Sequence, residues 1–109
     1  MAEAERQLLD FTKSYFPKPR EAVLGGNSVH ADRRFLEKDM PALASHLHYR
    51  IIDVSTVAEL CKRWYPEDKL CKYQKREAHR ALDDIKESIG QLRHFRQYFF
   101  REDSTRPDQ

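Results

Sequence analysis

The chain has 109 residues, of which 20 are basic and 18 acidic, so its formal net charge is only +2. Its length suits one compact domain and is too short for two, and its aromatic content of 11% is unlike that of a disordered chain. The near balance of charge gives no support to a dedicated binder of nucleic-acid backbones, which would be much more basic.

The first half of the chain predicts a helix, a short strand and two further helical segments. Residues 3–16 place apolar side chains near one helical face, and prolines follow directly. Residues 22–24 form a short apolar run closed by two glycines, which is typical of a buried strand. A helix then begins near His30 and is interrupted by Pro41. The first of these helical segments is expected to direct Phe35 and Leu36 inward, and a further helical turn after Pro41 is expected to include Leu43 and Leu47.

The second half predicts one strand and two helices. Residues 49–54 are rich in β-branched side chains, as strands are. The next helix has a capping box formed by Thr56 and Glu59, and residues 67–77 are polar and predict a loop before the last helix. The predicted apolar stripes are Val57, Leu60, Cys61 and Trp64 on the first helix, and Leu82, Ile85, Ile89, Leu92, Phe95 and Phe99 on the second, which runs from about Ala78 to Phe100.

This order of elements predicts an α/β fold with two parallel strands, a right-handed crossover and about four to five helices. Two strands make a poor sheet alone, because three or more are normally needed. We therefore expect residues 1–101 to form an incomplete sheet structure whose N-terminal strands are missing. Residues 102–109 predict a disordered tail.

The chain contains two cysteines, Cys61 and Cys71. We expect Cys61 on the apolar face of its helix and Cys71 in a polar loop, as two thiols of a reducing compartment. A zinc site combining both with His79 fits no short metal-binding spacing. The N-terminus resembles neither a secretory signal nor a transit peptide, and no apolar run approaches the ~20 residues of a membrane span. We therefore expect a soluble, cytoplasmic chain with no membrane partner.

Three side chains could carry phosphoryl chemistry. Asp32 follows a predicted strand at a helix start, where a carboxylate can bind a divalent cation or simply stabilise the helix. Asp84 follows His79 by five residues, about 500° of helix, so the two converge only if His79 lies in the loop before the helix. There the histidine could act as a general base on a water. The alternative is that the acids favour the helix dipole and the histidine is merely exposed.

Four more candidates flank the second predicted strand. Arginine with hydroxyl groups can bind a phosphate, and an aromatic ring can stack on a base. The alternative is an aromatic residue at a strand edge, a solvated arginine and a capped helix. The four residues are Tyr49, Arg50, Ser55 and Thr56.

Taken together, these motifs resemble the oligoribonuclease family, a group of DEDDh 3′→5′ exoribonucleases with an RNase H-like fold. Their order and spacing match over nearly the whole chain. The resemblance implies a homodimer that degrades very short RNAs to nucleoside 5′-monophosphates with two divalent metal ions, Mg²⁺ or Mn²⁺. The matching stretches are residues 26–36 (GNSVHADRRFL), 48–56 (HYRIIDVST), 59–66 (ELCKRWYP) and 79–89 (HRALDDIKESI).

The resemblance also implies a role for each candidate residue. Asp32 and Asp84 would be metal ligands, and His79 would be the general base. Ser28 would meet the terminal phosphate of the substrate, and Tyr49 would reach across the dimer to stack on it. The residues implied to bind the 5′-phosphate across the dimer are Arg50, Ser55 and Thr56.

One motif of that family, an Asp-x-Glu on a first strand, is absent from the sequence. Because two of the four metal-binding acids are then missing, we expect little or no nuclease activity from this chain alone. One alternative is a non-catalytic remnant that acts as a dimerisation or interaction module. Another is a general RNA-binding fragment, which the low net charge disfavours. A longer form could act in mitochondria.

Overall fold

Two short apolar segments between amphipathic helices form the two strands of the structure. The computed structural model describes residues 2–73 and 81–101. These residues contain two parallel strands and five α-helices, which confirms the predicted α/β fold with two parallel strands and about four to five helices. The chain divides into two compact units, Met1–Asp53 and Val54–Gln109. The elements are α1 (Ala2–Tyr15), β1 (Leu24–Gly26), α2 (Val29–Asp39), α3 (Pro41–His46), β2 (Ile51–Asp53), α4 (Val54–Trp64), a 3₁₀ helix (Lys69–Cys71) and α5 (Ala81–Phe99).

The two strands are parallel and only three residues long, with Leu24 opposite Ile51 and Gly26 opposite Asp53. Their predicted bounds, residues 22–24 and 49–54, were wrong. N-terminal to the paired residues, the His48 N–H donates to the Ala22 carbonyl at 2.8 Å. Regular strand pairing begins only at Leu24 and Ile51. The strand pairing therefore extends over the glycines that were expected to end the first strand.

The core of the first unit lies among α1, α2 and α3. Its N-terminal helix is attached through Glu5, whose carboxylate accepts the N–H groups of Ala42 at 3.0 Å and Leu43 at 3.3 Å. Phe35 is 47% exposed, contrary to prediction, because α2 directs Val29 and Leu36 inward instead. The buried cluster comprises Ala22, Met40, Leu43 and Leu47, with Leu9, Leu24 and Leu36 packed against it.

The core of the second unit is centred on Phe95, which is fully buried. It packs with Val54, Cys61 and Cys71, and half-buried Leu92 and Phe99 lie against them. Only the C-terminal half of the predicted α5 stripe is buried. Five residues of the two predicted apolar stripes are exposed in the structure: Leu60, Trp64, Leu82, Ile85 and Ile89.

Two further local predictions about the second unit were wrong. Helix α4 begins at Val54, directly after β2, so Thr56 lies inside the helix and does not cap it. Cys71 is buried in the 3₁₀ helix and joined by a disulfide to Cys61, rather than being a thiol in a polar loop. The predicted start of the last helix at Ala78 and the tail over residues 102–109 lie outside the described residues.

Candidate functional site

The carboxyl end of β2 fixes the start of α2, because Asp53 reaches back to the loop that follows β1. Its Oδ1 accepts the Ser28 N–H at 2.9 Å, and its Oδ2 lies 3.8 Å from Nδ1 of His30. The Asp53 side chain is only 14% exposed. In parallel strands, the carboxyl ends lie at one edge of the sheet, which brings Asp53 at the end of β2 beside the loop that follows β1.

Ser28 is the residue before α2, and its backbone is left-handed, with φ 52° and ψ 38°. A non-glycine residue in this region costs about 1–3 kcal/mol unless the surroundings hold it. The hydrogen bond to Asp53 and the burial of Val29, which is 2% exposed, stabilise this left-handed conformation of Ser28. Ser28 does not cap the helix with its side chain. Its own side chain is exposed beside the first turn of α2.

Asp32 lies in that first turn and is exposed, as the sequence predicted for an acid at a helix start. A carboxylate there is favoured by the partial positive charge of the helix N-terminus. Its exposure also leaves its oxygens accessible to a cation or a substrate. Both interpretations of the sequence are therefore compatible with the position of Asp32.

Tyr49 and Arg50 lie on an exposed segment directly before β2, in the first unit. The Tyr49 ring is 67% exposed and stacks on the His48 ring at a centroid distance of 4.7 Å. The Arg50 guanidinium carbon lies 5.3 Å from the centre of the Tyr49 ring, and the Arg50 N–H donates to Nδ1 of His48 at 3.0 Å. The three side chains form an exposed cationic and aromatic cluster, which suits contact with a base and a phosphate.

The remaining candidates belong to the second unit. Ser55 and Thr56 lie in the first turn of α4, where Ser55 is half-buried and Thr56 exposed. Asp84 lies in the first turn of α5 and is exposed beside half-buried Asp83. His79 lies outside the described residues, so its predicted convergence with Asp84 stays a prediction.

Within residues 2–73 and 81–101, no group of three or more His, Cys, Asp or Glu side chains is arranged to hold a metal ion. Asp32 and Asp84 each offer a single exposed carboxylate at a helix start. The described residues therefore do not make a complete metal centre. Over the same residues, no helix is both long and apolar enough to cross a bilayer.

Two residues of the first-unit site were not singled out from the sequence. Asp53 was assigned only to a strand, and His48 had no role. The signal for Asp53 is its place at the last position of a parallel strand, opposite the end of the preceding one. No sequence signal marks His48, because its stacking on Tyr49 depends on the side-chain geometry at the bend before β2.

Comparison with known proteins identifies the family. Residues 1–92 match the sequence profile of the exonuclease family, RNase_T. The chain belongs to this exonuclease family. It is 58% identical over 97 residues to a probable oligoribonuclease of Schizosaccharomyces pombe, covering 89% of this chain and 38% of that protein. It is 53% identical over 100 residues to an oligoribonuclease of Nocardia farcinica, covering 92% of this chain and 46% of that protein.

A third relative of the chain is the mitochondrial oligoribonuclease of Homo sapiens, which is 52% identical over 101 residues. The match covers 93% of this chain and 42% of the human protein. The chain thus spans less than half the length of these three relatives. Its two parallel strands and five helices are consistent with part of an RNase H-like exonuclease fold.

Proposed function

We propose that this chain forms part of a 3′→5′ exoribonuclease that degrades very short RNAs to nucleoside 5′-monophosphates. The observation that carries the proposal is the match of residues 1–92 to the exonuclease family, together with relatives named oligoribonuclease. Relatives from Mus musculus and Homo sapiens are named mitochondrial. We propose a cytoplasmic location for this chain and a mitochondrial one for a longer form.

The proposed reaction is hydrolysis of the terminal phosphodiester. His79 would take a proton from the attacking water, as a general base does. Asp32 and Asp84 would contribute carboxylate oxygens toward two Mg²⁺ or Mn²⁺ ions, the cations that such hard oxygen ligands prefer. When bound, such ions stabilise the charge on the entering and leaving oxygens. Further ligands are required, because the described residues do not complete a metal centre.

The proposed substrate contacts are those that the family resemblance implies. Ser28, exposed before α2, would meet the terminal phosphate. In a homodimer, Tyr49 would stack on the substrate bound by the other subunit, and its large exposure supports a role in contact. The 5′-phosphate would be bound by Arg50, Ser55 and Thr56 from the same subunit as that tyrosine. A bound 5′-phosphate would leave no room for a longer RNA, which would explain a preference for very short substrates.

We further propose that the chain by itself cleaves little or no RNA, because its sequence contains no Asp-x-Glu pair. The test is incubation of the purified chain with a 5′-labelled RNA dinucleotide and Mn²⁺, beside an Asp84→Ala variant. We expect no mononucleotide from either protein. Release of mononucleotide that disappears in the variant would contradict the proposed inactivity.

A chimera tests the function itself. In the chimera, the present chain is substituted for the 97-residue segment of the Schizosaccharomyces pombe relative that it matches. We expect this chimera to release mononucleotides. In it, His79→Ala should slow the reaction by about 10²–10⁴-fold, the usual contribution of a general base. Asp84→Ala should remove activity, whereas the neighbouring Asp83→Ala should retain most of it. A folded but inactive chimera would contradict the nuclease proposal and favour a non-catalytic interaction module.

A further inference from the structure

The second unit contains a sulfur pair that the proposed reaction does not use. Cys61 lies in α4 and Cys71 at the end of the 3₁₀ helix, with their Cα atoms 5.6 Å apart, inside the range that disulfides occupy. They are 4% and 5% exposed. We propose that this pair is a reversible redox-modification site, in which a small disulfide such as glutathione disulfide oxidises the two thiols and clamps the 3₁₀ helix to α4.

The surroundings accommodate the reduced pair as well as the oxidised one. The Cys71 sulfur lies 3.2 Å from the Cys61 carbonyl oxygen and 3.4 Å from the Tyr65 carbonyl oxygen. A thiol at Cys71 can therefore donate its hydrogen to a backbone acceptor, and a buried thiol with an acceptor carries no unsatisfied polar group. The apolar neighbours Val54 and Phe95 suit either form, because cysteine packs as a small hydrophobic residue.

The two cysteines lie in secondary-structure elements that differ in length and in the number of their hydrogen bonds. Cys61 lies inside an eleven-residue helix. The 3₁₀ helix has only three residues. Asp68 accepts from the N–H groups of Leu70 at 2.9 Å and Cys71 at 3.1 Å, and the Lys69 carbonyl accepts from the Lys72 N–H at 3.2 Å. The Leu70 carbonyl also lies 2.6 Å from Nε2 of His94. Residues 65–70 are all exposed, so local opening of this segment costs little and gives reagents access to both sulfurs.

The chemistry balances without a further reactant. The thiolate of one cysteine attacks the small disulfide, forms a mixed disulfide and releases one small thiol. The second cysteine then attacks the protein-bound sulfur, closes the bond between Cys61 and Cys71 and releases the second small thiol. Two protein thiols are oxidised and one small disulfide is reduced to two thiols. A dithiol reductant reverses both steps. The closed loop constrains residues 61–71 and thereby opposes the local opening.

Limited proteolysis of the full chain tests whether the disulfide fastens the 3₁₀ helix to α4. The purified chain is treated with glutathione disulfide or with dithiothreitol, its free thiols are counted by alkylation and mass, and trypsin cleavage after Lys69 and Lys72 is followed. We expect oxidation to remove both free thiols without retained glutathione, and to slow these cleavages by about tenfold or more. Cleavage after Lys13, which lies in α1 of the first unit, should stay the same.

The variants Cys61→Ser and Cys71→Ser are the matched controls. Each should be cleaved after Lys69 and Lys72 at one rate under both treatments, close to that of the reduced chain. The proposal is overturned if the unsubstituted chain keeps two free thiols after treatment with glutathione disulfide. It is also overturned if the oxidised and reduced forms of that chain are cleaved after Lys69 and Lys72 at equal rates. It is overturned equally if reduction also accelerates cleavage after Lys13, because the change would then be unfolding of more than the clamped segment.

Discussion

At the scale of single residues, the start of α2 depends on the half-buried carboxylate of Asp53, which was not singled out from the sequence. Asp53 accepts the N–H of Ser28 and lies near His30, so it holds the left-handed residue from which α2 begins. Asp32 in the first turn of α2 depends on that start for its position. The side chain that orders the site is thus distinct from those proposed to act on substrate.

This role of Asp53 predicts an effect on stability. Asp53→Ala removes the acceptor of the exposed Ser28 N–H and should lower the free energy of unfolding by about 0.5–1.5 kcal/mol, the net contribution of a typical hydrogen bond. Asp53→Asn keeps an oxygen acceptor and should recover most of that loss. Urea denaturation measures both, and amide exchange at Ser28 reports the local change. Equal stability of the alanine variant and the unaltered chain would contradict this role.

At the scale of secondary-structure elements, α1 is attached to the first unit by a cap as well as by apolar contact. Glu5 accepts two N–H groups at the start of α3, which has a proline at its first position and no side-chain cap from Met40. The donors of a helix start need such acceptors. Glu3, two residues earlier, makes a different contact, a surface pair with Arg6.

The two glutamates form a matched pair for a test of this attachment. Glu5→Ala should lower the free energy of unfolding by about 1 kcal/mol, as loss of a helix cap does. In Glu3, hydrogen bonds from Arg6 and then Gln7 hold the pKa of the carboxyl below its ordinary value. The pair is nevertheless fully solvated, so Glu3→Ala should change stability little. Thermal denaturation of both variants measures the difference, and a larger loss from Glu3→Ala would refute the assignment.

At the scale of the whole molecule, the chain has two separate hydrophobic clusters, one in each compact unit. The second depends on a single ring, because Phe95 is its only fully buried large side chain among the described residues. Each cluster is small for a stable domain, and small cores tolerate little loss. The stability of the second unit should therefore respond sharply to a change at this position.

Phe95→Ala should cost about 3–5 kcal/mol, the usual loss for a buried phenylalanine. Hydrogen exchange followed by mass spectrometry should show the greatest loss of protection over residues 54–73 and 81–101. The matched control is Phe100→Ala, whose side chain is 54% exposed, and we expect it to alter stability by less than about 0.5 kcal/mol. A uniform loss of protection across both units would argue against separate cores.

The sequence by itself determined the family, the α/β class, the bounds of α1 to within one residue and the position of Asp32 at a helix start. The family follows from the resemblance of its motifs, whereas the class and the helix positions follow from the periodicity of apolar residues along the chain. Helix and strand ends were less well predicted: Thr56 and Glu59 form a capping pattern, but β2 continues directly into α4 and overrides it. Local propensity is a weak guide where tertiary contacts fix the chain.

Only the tertiary structure decided which apolar residues are buried and which polar groups meet. The α5 pattern marks six stripe residues alike, yet only Phe95 is fully enclosed, because burial depends on where α4 and the 3₁₀ helix lie. The contacts of Asp53 with Ser28 and of Cys61 with Cys71 join residues 25 and 10 positions apart. Pairing at such separations is set by the register of parallel strands and the packing of helices, and neither is encoded in a local pattern.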